Sequence, residues 1–172
     1  MIDLLRSRRS IRRYTDRPIE PEKQALLEEA LLLAPTSHHK RPWEFVFVED
    51  RETLGRLAET KPHGSSFLAG AALAVAVCGT PERSDMWVED CSIAATFLQL
   101  TAHALGLGSC WVQVRGRNHD DQTTAGEYVR RLLGLALPLD VETVIGLGYP
   151  AETPPPRDAE ELLRERIHRH SG

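Results

Sequence analysis

The sequence predicts a layered domain in which helices pack on a β-sheet, of either the α/β or the α+β class. Long helical segments alternate with strands along the chain, which is the order that produces such layers. The chain has 172 residues, enough for one domain with a sizeable core but few for two. Its hydrophobic share of 41% and charged share of 27% are those of a globular protein. We therefore expect a single domain over residues 1–172.

The first half of the chain contains three predicted helices and one predicted strand. A short helix covers residues 2–9, and a stronger helix lies over 21–35, where a proline stands at each end. The alternating residues of "EFVFVED" predict a strand over 44–50. The aspartate that ends this stretch can cap a further helix over about 51–60.

The second half continues the alternation of strands and helices. Residues 71–79 are apolar on both faces, as an interior strand requires. The clearest helix covers about 88–106, and the strand "SCWVQVR" follows it at 109–115. A capping box starts a helix over about 124–134, and the last strand covers 141–150.

The C-terminal tail, residues 151–172, differs in composition from the rest. Three consecutive prolines impose an extended course, and the residues after them suggest a charged helix with a weak apolar face. The tail has too few apolar residues to build a core of its own. It therefore lies on the domain, reaches a partner chain, or frays.

Composition and spacing exclude several classes of function. The net charge of −4 and pI near 6.0 argue against nucleic-acid binding, which needs a basic surface. Three cysteines without CxxC spacing suggest neither disulfides nor a zinc cluster and fit a reducing compartment. The apolar stretches are too short to cross a membrane, and the N-terminus lacks a signal-peptide core. We expect a cytoplasmic protein.

The sequence lacks the common motifs of hydrolases, nucleotide-binding proteins and metal sites. The sequence contains no G-x-S-x-G elbow, no phosphate-binding P-loop and no complete G-x-G-x-x-G fingerprint. The adjacent pair His38 and His39 lacks a third ligand at metal-binding spacing, so no metal site is predicted. Paired carboxylates are expected on the solvated surface. They are Glu28/Glu29, Glu49/Asp50, Glu89/Asp90 and Asp120/Asp121.

A cluster of arginines near the N-terminus is the strongest candidate site. The stretch "RRSIRRYTDRPI" contains four arginines in six positions, although the chain as a whole is acidic. If the first helix continued, Arg8 and Arg12 would share one face, with Ser10 nearby. Guanidinium forks and a hydroxyl suit a phosphate or the polar edge of a planar ring. The alternative is an ordinary solvated helix end.

Four segments together resemble the nitroreductase family of FMN-dependent flavoproteins. They are "RRSIRRYTDRPI", "LLLAPTSHHKRPWEFVFVED", "LTAHALGLGSCWVQV" and "IGLGYPAETPPPR", in the family's order and approximate spacing from about residue 3 to 157. The resemblance implies a three-layer α+β fold, in which helices flank a central, mainly antiparallel sheet. It also implies an intertwined homodimer with FMN at the subunit interface, and we expect the tail over 151–172 to contact the partner.

The resemblance assigns two groups of cofactor-binding residues. Arg8, Ser10 and Arg12 would hold the FMN phosphate and the polar edge of the flavin ring, assisted by Arg9, while Arg157 would contact the phosphate from the tail. A second group would approach the ring, part of it from the partner subunit and part as a backbone amide near flavin N5. The loop residues are Pro35, Thr36, Ser37 and His39, and the amide residues are Gln113 and Val114.

Two departures from the family pattern make the loop more cationic. His39 stands where the family has asparagine, and Arg41 stands where it has glutamine. The small-residue stripe of helix 88–106 would form a tight dimer seam, exposed in a lone subunit. Its members are Cys91, Ala94, Ala95, Leu98, Ala102 and Leu105.

The function implied is hydride transfer from NAD(P)H to FMN, then to an electron-poor small molecule such as a nitroaromatic or quinone. The mechanism would be ping-pong, with flavin-centred chemistry and no catalytic side chain. Alternatives are a non-catalytic flavin-binding or ligand-sensing protein, or a narrower reaction such as reductive dehalogenation or flavin fragmentation. No 2′-phosphate site is apparent in the sequence, so it does not distinguish NADH from NADPH.

Overall fold

A four-stranded antiparallel sheet forms the centre of the molecule in the computed structural model, which describes residues 1–170. The strands are Trp43–Val48 (β1), Leu73–Gly79 (β2), Gly108–Gln113 (β3) and Asp140–Gly148 (β4). They lie in the order β1-β2-β4-β3, and every neighbouring pair is antiparallel. The edges of the sheet are therefore β1 and β3, while β2 and β4 are interior. All seven residues of β2 are buried, as its apolar sequence predicts.

Five helices cover the two faces of this sheet. They are Ile2–Ser7 (α1), Pro21–Leu32 (α2), Arg51–Leu57 (α3), Trp87–Ala104 (α4) and Ala125–Leu132 (α5). Buried residues of α2 and α4 form one core cluster with the sheet, and those of α3 and α5 form a second cluster. The expected three-layer α+β fold is thus confirmed. No helix among residues 1–170 is both long enough and apolar enough to cross a bilayer.

The small-residue stripe of α4 belongs to the core of the subunit, so its prediction as an exposed dimer seam is wrong. Cys91, Ala94 and Leu98 are fully buried, and they lie in the cluster that joins α2, α4 and the sheet. Small side chains here allow the helix to approach its own sheet closely. The solvent-facing side of α4 instead exposes Ile93 and Phe97, at 37% and 39%.

The arginine segment is extended and not helical, which corrects the predicted helix over 2–9. α1 ends at Ser7, and residues 8–13 follow a non-helical course. Ser10 forms a parallel bridge with Ser109 of β3, and Ile11 turns inward with only 7% of its surface exposed. Because side chains alternate along an extended chain, residues 8, 10 and 12 still share one side. The predicted grouping of arginine and serine holds for a different geometric reason.

The C-terminal tail lies along this arginine segment within the same chain. The Ala151 N–H donates to the Arg13 carbonyl at 2.9 Å, and the Arg157 N–H donates to the Arg6 carbonyl at 3.2 Å. Beyond residue 157 the predicted charged helix is absent among the described residues. Only two short 3-10 turns occur there, at Ala159–Glu161 and Arg164–Arg166.

Candidate functional site

A cationic pocket of about 390 Å³ lies between the N-terminal segment and the tail. Its lining residues are Arg8, Arg9, Ser10, Arg12, Glu152, Pro154 and Arg157. The structure therefore brings together all five residues that the sequence predicts as phosphate contacts. Four guanidinium groups face one carboxylate here, and a hydroxyl stands among them. This donor set fits the phosphate of a flavin mononucleotide.

Ile11 fixes the position of the segment that carries these side chains. Its N–H donates to the Ser109 carbonyl at 3.0 Å, and its carbonyl accepts from the Tyr14 hydroxyl at 2.6 Å. Its side chain covers Gly108 so closely that a Cβ at Gly108 would lie 2.7 Å from it. The Tyr14 hydroxyl also lies 3.1 Å from the Gly146 carbonyl, so these two carbonyls share its one hydrogen, and burial raises the pKa of Tyr14 so that the hydroxyl stays protonated. The segment is thus anchored to the sheet.

Glu152 closes the pocket from the tail side, and sequence reasoning missed it. Its carboxylate accepts from the N–H groups of Arg12 at 2.5 Å and Arg13 at 3.2 Å, and from Arg13 Nε at 3.1 Å. The Arg9 guanidinium donates to the Pro155 carbonyl. Within residues 1–170, no carboxylate forms an ion pair with Arg8 or Arg12. These two guanidiniums are therefore available to an anionic ligand.

The loop after α2 has an unusual backbone held from beneath by a buried carboxylate. The Ser37 N–H donates to Asp90 Oδ1 at 2.9 Å, and Asp90 is only 3% exposed, against the prediction that it lies on the surface. His38, His39 and Arg41 have φ values of +50°, +55° and +45°, a left-handed backbone region that residues other than glycine rarely adopt. Such strain is kept where the surroundings enforce it, often at functional sites.

This loop lies at the opposite end of α4 from the arginine pocket. Asp90, which holds Ser37, lies in the first turn of α4, whereas His103 near its C-terminus lies 2.8 Å from the Ser7 hydroxyl. Asp90 and His103 are 13 residue steps apart, which corresponds to about 20 Å along the helix. One chain therefore does not bring Pro35, Thr36, Ser37 or His39 into the arginine pocket.

Gln113 lies at the far end of the strand that begins beside the pocket. The Val114 N–H is directed at the Glu142 carbonyl, at 3.4 Å, so Val114 continues the ladder with β4. Hydrogen-bonded pairs alternate along an antiparallel ladder, so the Trp111 and Gln113 N–H groups face the free edge of β3. The Gln113 side chain accepts from Trp111 Nε1 and donates to the Arg115 carbonyl, both at 2.9 Å. Of the two predicted amide donors, the geometry therefore favours Gln113.

The arginine pocket and the Gln113 amide occupy the two ends of one free edge. Ser109 contacts the arginine segment, and four residue steps lead from it to Gln113. At strand geometry this is about 13 Å. An elongated ligand with an anionic group at one end and a hydrogen-bond acceptor at the other matches this arrangement.

The three buried cysteines are unsuited to redox or nucleophilic chemistry. Burial raises the pKa of Cys78 to about 12, and it also raises the pKa values of Cys91 and Cys110. Their thiols remain protonated, and only a thiolate is reactive. Among residues 1–170, no group of three histidine, cysteine or acidic side chains is arranged to hold a metal ion.

Comparisons with known proteins identify the family of this chain. The model of the nitroreductase family matches residues 5–61 and 59–149. A protein of Archaeoglobus fulgidus named as an NADH dehydrogenase/NAD(P)H nitroreductase is 37% identical over 98% of this chain and 96% of its own.

Solved structures show the same relationship. The FMN-dependent nitroreductase of Clostridium difficile is 42% identical, with a TM-score of 0.98 and full coverage of both chains. A Desulfovibrio desulfuricans protein solved in complex with FMN is 25% identical, with a TM-score of 0.79 over 99% of this chain and 96% of its own. The chain therefore belongs to the nitroreductase family.

Proposed function

We propose that this protein is an FMN-dependent oxidoreductase that takes hydride from NAD(P)H and passes it to an electron-poor acceptor, a nitroaromatic or a quinone. The observation that carries the proposal is the arginine pocket at one end of the free edge of β3, with an unpaired backbone amide at the other end. Family membership and the FMN-bound relative support the same assignment.

Five residues of the arginine pocket bind the phosphate end of the cofactor. Arg8 and Arg12 supply guanidinium forks that no carboxylate among the described residues neutralises, and Ser10 adds a hydroxyl. Arg9 and Arg157 reach the same pocket from the two chain segments that line it. Charge-assisted hydrogen bonds of this kind are the strongest that a protein offers to a phosphate.

FMN, when bound, supplies the two-electron redox chemistry, and the protein supplies binding, orientation and electrostatics. The Gln113 N–H would donate to the flavin ring and would tune the ease of its reduction. NAD(P)H and the acceptor use the same face of the site in turn, which gives ping-pong kinetics. No side chain of this protein needs to act as a general acid, because water can deliver the protons that the acceptor needs.

Two subunits are needed to complete each site. The strained loop lies about 20 Å from the arginine pocket along α4, so its contacts to the same cofactor would come from a second copy. Each subunit also exposes apolar side chains that a partner would cover. They include Ile2 at 57%, Leu33 at 68%, Ile93 at 37%, Phe97 at 39% and, in the tail, Ile167 at 69%.

Anaerobic mixing of the FMN-loaded protein with NADH or NADPH tests the proposal. We expect at least one nucleotide to bleach the visible absorbance of the flavin, and a nitroaromatic or quinone to restore it. If neither nucleotide bleaches a stoichiometrically bound flavin, the protein is a flavin-binding module and not an oxidoreductase.

A further inference from the structure

A buried carboxyl group with an unsatisfied oxygen lies beside the end of β3. Glu142 is the third residue of β4 and is only 4% exposed. Its Oε2 atom is buried and has no hydrogen-bond partner within residues 1–170. Arg115 Nε lies 3.9 Å from this oxygen, but the Arg115 side chain is 54% exposed, so water screens much of its charge. Buried polar atoms without a partner are rare in folded proteins, and a buried charge without one is costly.

An irregularity in the sheet places Glu142 at this point. The register between β2 and β4 shifts between Val77 and Cys78, whose partners on β4 are Thr143 and Val141. Glu142 is therefore the extra residue of a β-bulge. Bulges bend a strand locally and redirect a side chain, and they are common beside active sites.

Hydrogen bonds connect Glu142 to the residue whose amide faces the free edge of β3. The Glu142 carbonyl accepts from the N–H of Arg115 at 3.0 Å, and the Arg115 carbonyl accepts from Gln113 Nε2 at 2.9 Å. A ring bound at the free edge of β3 would lie about two strand spacings from β4, or about 10 Å. Protein fills the space between them, so a charge on Glu142 would act on that ring with much less screening than in water.

The other charged and titratable groups around Glu142 do not neutralise it. The first turn of α4 packs on this end of the sheet, where Cys91 Sγ donates to the β2 backbone at 3.3 Å. That turn also carries Glu89, which is itself acidic. Asp140, at the start of β4, lies 3.5 Å from Arg130. Arg115 is thus the cation that the fold sets against the Glu142 carboxyl.

This environment favours the neutral form of the carboxyl group. Burial raises the pKa of Glu142, and repulsion by Glu89 adds to the shift, while Arg115 and Gln113 oppose it. A carboxyl group whose pKa is raised toward neutrality changes its protonation when the charge near it changes.

We infer that Glu142 takes up a proton when a flavin bound at the Gln113 amide is reduced. The inference rests on the proposed oxidoreductase function. Hydride transfer from NAD(P)H brings two electrons and one proton to the flavin, which gains one negative charge. This charge repels an ionised Glu142, so the carboxylate takes a second proton from water and becomes neutral. By the same coupling, an ionised Glu142 makes the flavin harder to reduce.

The midpoint potential of the bound flavin tests this coupling, with dithionite as the source of electrons. In alkaline solution Glu142→Gln should have the more positive potential, because the unmodified protein carries an ionised carboxylate there. The expected change is about tenfold in the equilibrium constant for reduction, or about 30 mV for a two-electron couple. In acid, where both side chains are neutral, the two potentials should converge. Asp140→Asn is the matched control, because it removes the same charge from a side chain that is 50% exposed and paired with Arg130. It should keep the potential of the unmodified protein at every pH.

Denaturant unfolding of the FMN-free protein tests the titration of Glu142 without the cofactor. The folded-state pKa of Glu142 is raised above the unfolded-state value of about 4.3. Its stabilising contribution is therefore fully present below that unfolded-state value and is lost as pH rises through the folded-state pKa. The unmodified protein should lose stability relative to Glu142→Gln as pH rises from about 4 to about 8. An identical pH dependence of the two proteins would overturn the inference.

The two experiments separate this inference from the proposed function. If the potentials of the unmodified protein and Glu142→Gln are equal, or differ by the same amount at every pH, Glu142 is not coupled to the flavin and the oxidoreductase function stands. If neither NADH nor NADPH reduces the flavin, the proposed function fails, but the dithionite titration still decides the role of Glu142. A protein that binds no FMN would overturn both.

Discussion

Glu152 accepts a 2.5 Å hydrogen bond from the backbone N–H of Arg12, so the tail holds in place the segment that forms the cationic pocket. The two residues are 140 positions apart in the chain. The carboxylate takes hydrogen bonds from the backbone, and this leaves the Arg12 guanidinium available for a ligand. The negative charge of Glu152 therefore organises the cationic segment without neutralising that guanidinium.

Protonation of Glu152 should weaken this contact in acid. Hydrogen bonding from the Arg12 N–H, with further help from Arg13, lowers the pKa of Glu152 in the folded state. The stabilisation is fully present above the unfolded-state pKa of about 4.3 and is lost as pH falls through the lowered folded-state pKa. Denaturant unfolding between neutral pH and pH of about 3 should show a smaller acid-induced loss of stability in Glu152→Gln than in the unmodified protein. Identical pH dependence would show that Glu152 does not act as an anion here.

Removing two arginines of the pocket should release the cofactor. The double substitution Arg8→Ala and Arg12→Ala should reduce the free energy of FMN binding by several kcal/mol, at about 1.5–3 kcal/mol per charge-assisted contact. Fluorescence titration of the apoprotein with FMN measures this affinity. Arg17→Ala is the control, because Arg17 pairs with Glu20 outside the pocket. Unchanged FMN affinity in the double variant would remove these arginines from the site.

Gly108 tests the anchoring of the arginine segment. A Cβ at Gly108 would lie 2.7 Å from Ile11, so Gly108→Ala must displace Ile11 and the residues beside it. We expect a loss of about 1–3 kcal/mol in unfolding free energy and weaker FMN binding. Gly55→Ala in α3 meets no atom within 4 Å and should retain both stability and cofactor affinity. Equal behaviour of the two variants in thermal unfolding and FMN titration would show that the contact does not position the segment.

The fold was predictable because its signals are local. The continuous apolar residues of β2 predict a buried strand, and the apolar residues that recur along α4 predict a long helix. Each pattern lies within the element itself. The course of residues 8–13 is not local, since it depends on Ile11 packing against Gly108. The roles of Glu152 and Asp90 were hidden for the same reason, because their partners lie 140 and 53 residues away. The predicted grouping of the arginines holds because Arg8 and Arg12 share one side of the chain both in a helix and in an extended segment.

The exposed side of α4 should belong to the subunit interface. Ile93 and Phe97 lie one turn apart there and are more than one third exposed. Phe97→Asp should convert the proposed dimer to monomers at micromolar concentration in analytical ultracentrifugation, because a buried unpaired carboxylate is costly. Thr96→Asp places the same charge at an exposed neighbouring position and tests whether charge alone is disruptive. A fully dimeric Phe97→Asp protein would exclude this face from the interface.

The tail residues beyond Arg157 should strengthen the subunit interface but should not form part of the arginine pocket. Residues 151–157 pair with the N-terminal segment of their own chain, so removing them would destroy the pocket directly. A chain that ends at Arg157 keeps those contacts and loses only the residues beyond them.

Leu162, Leu163 and Ile167 are 50%, 54% and 69% exposed, which suits docking on a neighbouring subunit. In sedimentation experiments, the shortened protein should therefore dissociate at a higher protein concentration than the full chain does. Its FMN affinity should fall as monomers appear. A triple substitution of these residues by serine in the full-length chain should have the same effect. If both proteins remain dimeric at low micromolar concentration and keep their full flavin content, the tail does not bridge the subunits.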